Sequence, residues 1–128
     1  MKKYYMRLEI GNINMINLLL GILLFFFGQT LIWYQTNGQF KWKWFADHPF
    51  IIACIFAVPI SYAFIIATKL VVGYFDGTLW PGRLIGFATG ISSFAILTLI
   101  YMGETITPKT AISLVLATAL VAIQILWK

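Results

Sequence analysis

An all-α membrane protein, a four-transmembrane-helix bundle, is the fold class that this 128-residue chain predicts. Four apolar runs, Ile13–Tyr34, Pro49–Val72, Pro81–Gly103 and Pro108–Trp127, fill nearly the whole of it. Each is close to the roughly 20 residues that a helix needs to cross a hydrocarbon core of about 30 Å. Charged residues make up only 10% of the chain, where soluble domains carry about 25%. The connections are too short to hold a second fold, so residues 1–128 form one domain.

Residues 1–10 place Tyr4 and Tyr5 between Lys3 and Arg7, a mixture suited to the headgroup zone. The run that follows is too long for the apolar core of a signal peptide, and no small-residue cleavage site follows it. It reads as a retained first span. The first connection, Gln35 to His48, carries Phe40, Trp42, Trp44 and Phe45 beside Lys41 and Lys43. Such alternation can stack nucleic-acid bases, but next to a membrane span it predicts an interfacial anchor and no nucleic-acid partner.

In the second connection, Asp76-Gly77 signals a turn, and Pro81 suits the first turn of span three, where its missing N–H is not needed. The third connection is about four residues, Glu104 to Thr107. Thr107 is suited to cap span four and Pro108 to begin it. Spans three and four therefore form a tight antiparallel hairpin. Lys2, Lys3, Arg7, Lys69, Arg83 and Lys128 lie on one side of the membrane, and Lys41, Lys43 and Lys109 on the other. The positive-inside bias expects both termini in the cytoplasm.

Helices in lipid gain little from hydrophobic burial against one another and depend on close packing and interhelical hydrogen bonds. Stripes suited to this are Asn14, Asn17, Gly21 and Gly28 on span one, and Cys54, Ala57, Ser61 and Thr68 on span two. Span four has Thr110, Ser113, Ala117 and Gln124. Span three has Gly82, Gly86 and Gly90, a doubled G-x-x-x-G continued by Ser93. That glycine face serves a crossing within the bundle or against a second copy; the internal crossing is favoured because four spans need at least one close approach. Pro59, near the centre of span two, removes one backbone hydrogen bond and acts as a packing kink or as a hinge beside a cavity.

Ionisable residues deep in a membrane usually mark transport sites. Here Lys69, Arg83, Glu104 and Lys109 all lie near span ends, and no carboxylate occupies a midplane. Uncharged polar groups are the remaining candidates. Asn14, Asn17 and Gln29 on span one and Tyr62 on span two are expected to line a cavity or to bond across helices. The lone Cys54 allows no internal disulfide, and no His/Cys cluster predicts a metal. A single histidine, His48, and no nucleophile–base pair argue against an enzyme, and no cofactor is expected.

Trp33-Tyr34 at the end of span one, and Tyr101-Met102-Gly103-Glu104 followed by Thr105-Ile106-Thr107-Pro108, resemble the drug/metabolite transporter superfamily, in particular its small four-span members. The likeness covers the end of span one and about the last 30 residues. It implies a four-helix subunit that works as a homodimer in the lipid bilayer and moves a small metabolite or ion. Multidrug-exporting relatives use a glutamate in span one; Ile13–Tyr34 holds none, which departs from proton-driven drug efflux. Glu104 fits the shared connection as a structural cap or interface residue. The competing expectation is a non-transporting scaffold or accessory subunit of a larger membrane complex.

Overall fold

The computed structural model describes residues 14–127, with side chains from Met15 onward. Four long helices follow in order: span one, Asn14–Asn37; span two, Pro49–Tyr74; span three, Leu79–Met102; and span four, Pro108–Leu126. No strand occurs among the described residues. All four are long and apolar enough to cross a bilayer, which makes the chain a multi-pass integral membrane protein. The basic aromatic segment expected over residues 1–10 lies outside the described residues.

Local chemistry accounts for the helix ends. Span two starts at Pro49, which has no N–H to leave unpaired. Asp76 and Gly77 both adopt positive φ, 55° and 83°, and reverse the chain as the Asp-Gly pair predicts. Span three begins two residues earlier than expected, at Leu79, so Pro81 occupies its third position, still within the turn whose N–H groups lack helical acceptors. It ends at Gly103, whose φ of 69° is the left-handed conformation that helix ends favour. Thr107 caps span four as predicted: the Thr110 N–H donates to Thr107 Oγ1 at 3.2 Å.

Span one runs three residues beyond the predicted Tyr34, and the first connection is partly helical. A 3₁₀ turn, Gly38–Phe40, is followed by a short helix, Lys43–Asp47. This segment folds back so that Trp42 meets Tyr34 and Tyr101 while Phe45 meets Phe56.

Span one lies at the centre, packed along span two on one side and span three on the other. Span four packs on span three, and Ala117 is its one buried residue among those described. The core joins Phe25 of span one, Ala67 and Val71 of span two and Ile85 of span three. Glycines set how closely the backbones approach. A Cβ on Gly21 would stand 2.8 Å from Val71 Cγ2 and 3.2 Å from the Ala67 carbonyl oxygen. One on Gly28 would stand 2.6 Å from the Phe64 ring. The small face of span one is thus its seam with span two.

The stripe predicted for span two is corrected. Cys54, Ala57, Ser61 and Thr68 are all exposed, and the buried residues are Ile52, Ile60, Ala63, Ala67, Val71 and Val72. In lipid an exposed face needs no charge, so small polar residues alone did not distinguish the inward side. Pro59 is also exposed, inside a continuous helix.

At the opposite end from the Asp76-Gly77 turn, an aromatic cluster fastens span one to span three. The buried Trp33 donates from Nε1 to Thr98 Oγ1 at 2.9 Å, and its ring stacks on Tyr101 with centroids 5.3 Å apart. The Tyr34 and Tyr101 hydroxyls lie 2.7 Å apart.

Candidate functional site

Gly86 and Gly90 of span three face span one of the same chain, whereas Gly82 faces span two. A Cβ on Gly86 would meet the Phe25 ring at 3.3 Å, and one on Gly90 would meet the Gln29 amide at 3.0 Å. Gly82 is less tightly covered, with Val72 and Val71 at 3.6 and 3.7 Å. Small residues here make room for an amide rather than for another backbone. Gln29 Nε2 donates to the Gly86 carbonyl at 3.0 Å, and Thr89 Oγ1 donates to the same oxygen at 2.9 Å.

Spans two and three diverge from their shared turn on either side of span one, leaving a groove between them. Its volume is about 580 Å³, within the range of organic-ligand sites. Phe25 and Gln29 form the floor. Phe64 and Thr68 form the span-two wall, and Gly86, Phe87, Gly90, Ile91 and Phe94 lie along span three. Leu79 and Arg83 close the end nearest the turn. A smaller hollow of about 250 Å³ shares Gln29, Gly90 and Phe94 and extends past Trp33 to Thr36 and Asn37. Phe87 is 46% exposed and Phe94 52%, so the groove opens sideways towards the bilayer.

The walls are chiefly apolar, with three polar groups spaced along the groove. Gln29 spends one N–H on Gly86, and its second N–H and its carbonyl oxygen have no partner among the described residues. Hydroxyls at Thr30, Thr36, Ser92, Ser113 and Thr118 donate to carbonyls of their own helices, whereas the Thr68 hydroxyl has no partner among the described residues. Nor does the Arg83 guanidinium make an ion pair or hydrogen bond among them. These groups can hold a polar or anionic head while the aromatic walls hold an apolar body.

Of the predicted cavity residues, the structure brings Gln29 into the groove together with Gly82, Gly86 and Gly90. Asn17 is half-buried on span one and is not one of the groove's walls. Asn14 begins span one, and its side chain lies outside the described residues. Tyr62 is placed differently: it is 68% exposed, because the inward side of span two runs through Ile60, Ala63 and Ala67, and position 62 is turned away. Glu104 is exposed in the connection between spans three and four, and Pro59 lines no part of the groove.

Sequence reasoning did not single out Thr68 as a groove residue and assigned Arg83 only to the headgroup zone. The available signal was the match between an intramembrane amide, Gln29, and a row of glycines one helix away. Among the described residues no three His, Cys, Asp or Glu side chains gather where a metal ion would be held. No family model, curated protein or solved structure matches the chain.

Proposed function

We propose that this chain is a transporter-type membrane subunit, akin to the small four-span members of the drug/metabolite transporter superfamily. In this reading it takes up an organic molecule in the groove between spans two and three. The observation that carries this is Gln29: an amide with an unspent N–H and carbonyl, lining an aromatic groove within the membrane-spanning length of span one. Burying such a group against lipid costs energy, and a polar ligand or water in the groove offsets that cost. Specificity comes from the span of apolar wall between Gln29 and Arg83. With no carboxylate among the described residues that line the groove, binding there does not call on the protonation of any of them.

The test is the reactivity of single cysteines in a Cys54→Ser background, read with N-ethylmaleimide on the protein in phosphatidylcholine liposomes free of acidic lipid. Ile91→Cys, in the groove, is expected to react at least tenfold faster than Val58→Cys on the outer face of span two, which is 73% exposed. A thiol needs water to ionise and react. Equal rates at the two positions would refute a hydrated groove.

A second reading, assembly as a homodimer or as an accessory subunit of a larger membrane complex, is favoured by span four. Ile112, Val115, Leu116 and Leu120 are all at least half exposed, and the helix touches the bundle along one narrow seam. Crosslinking in native membranes between cysteines at Val115 distinguishes a self-pair from a heterologous partner.

A further inference from the structure

Resting on the groove described above, we infer that its occupant is one acyl chain of an acidic phospholipid, which enters sideways from the bilayer with its phosphate against Arg83. Three observations lead to it. Arg83 and Phe94 stand eleven residues apart on span three, about 16 Å at 1.5 Å per residue. One leaflet of a roughly 30 Å core is about 15 Å deep. The groove therefore has the length of a single leaflet, and its charged end lies at the membrane face. Phe25, Phe64, Phe87, Ile91 and Phe94 line most of that length, with the Gln29 amide between them on the floor, where water held beside the tail meets its spare N–H and carbonyl.

The second observation is charge. The guanidinium at the groove's end is unpaired among the described residues, and its planar set of donors matches a phosphate. The unengaged Thr68 hydroxyl lies on the opposite wall near the same turn and adds a further donor. The third is access. A groove open at Phe87 and Phe94 meets hydrocarbon, so a tail can slide in while its headgroup stays at the interface. The face bearing Lys69 and Arg83 is the one the charge bias expects to be cytoplasmic, where acidic lipids concentrate.

Lys69 supplies the control. It sits beside Thr68 and is exposed, but it does not line the groove. General attraction to acidic lipid would use Lys69 as readily as Arg83; the groove uses Arg83 alone. Native mass spectrometry of the purified full chain compares retention of palmitoyl-oleoyl phosphatidylglycerol with that of phosphatidylcholine carrying the same chains. Phosphatidylglycerol is expected to be retained about fivefold better, the scale of one basic residue acting on an acidic headgroup. Arg83→Gln brings the two lipids level, Lys69→Gln leaves the preference unchanged, and Thr68→Phe, which fills the groove from its exposed wall, loses both.

Equal loss of preference in Arg83→Gln and Lys69→Gln would overturn the proposal, as would displacement of phosphatidylglycerol by equimolar inorganic phosphate, which marks a soluble-anion site. Equal retention of both lipids that Thr68→Phe abolishes would leave the groove in place and overturn only the acidic headgroup. Retention of both lipids in Thr68→Phe would overturn the groove as a binding site. If Arg83→Gln does not fold, judged by circular dichroism, the Thr68→Phe arm still decides.

Discussion

Gly21 and Gly28 both lie on the seam between spans one and two, yet alanine at the two positions is expected to act very differently. At Gly21 the added methyl meets Val71, which is fully buried, and the backbone oxygen of Ala67. Neither can retreat without separating the helices, so the cost falls near the upper end of the ~1–3 kcal/mol range for overpacking. The gain in helix propensity from glycine to alanine returns about 1 kcal/mol, leaving a net loss of about 2 kcal/mol. That is roughly a thirtyfold shift in the unfolding equilibrium. At Gly28 the three atoms nearest the methyl all belong to the Phe64 ring, which borders the groove and has room to turn into it. There the cost is about 1 kcal/mol and the propensity gain cancels it. Reversible unfolding in mixed micelles, followed by far-ultraviolet circular dichroism, measures both. Equal destabilisation, or a larger effect at Gly28, would show that span one does not meet span two through Val71 and Ala67. Gly28→Ala carries a second signature, because a displaced Phe64 narrows the groove and weakens whatever binds there.

The Trp33–Thr98 hydrogen bond is expected to show a coupling of about 0.6–1.7 kcal/mol in a Trp33→Phe, Thr98→Val double-mutant cycle, the range for interhelical bonds in membranes; coupling near zero would mean the two spans are held by ring packing alone. Tyr62→Leu, on the outer face of span two, should leave both stability and groove reactivity within about 0.5 kcal/mol of the parent. A clear fall in the reactivity of Ile91→Cys on adding Tyr62→Leu would return Tyr62 to the site.

What could be read from the chain follows the physics of the bilayer. Four apolar lengths, the Asp76-Gly77 reversal and the Thr107-Pro108 start depend on local rules, and all appear, the spans with ends within three residues of those expected. The glycine faces were legible because only small residues permit close crossings, and Gly21, Gly28, Gly86 and Gly90 each meet a neighbouring helix or its side chains. Facing was legible only there. A soluble helix marks its outer side with charge, but lipid tails are as apolar as leucine. Hence the outward placement of Cys54, Ser61 and Tyr62 contradicted no pattern in the sequence. The aromatic cluster was hidden for another reason. Trp33, Trp42 and Tyr101 are interfacial residues by composition, and their meeting depends on how the first connection folds back.

The one-sided seat of span four has a consequence for the order of assembly. Every wall of the groove, from Phe25 to Phe94, precedes the final connection in the chain. A ribosome has therefore synthesised every wall of the pocket before it begins residues 108–126. The last helix then docks from outside onto a platform already built, where it can adjust the far side of span three without being needed to raise the enclosure itself.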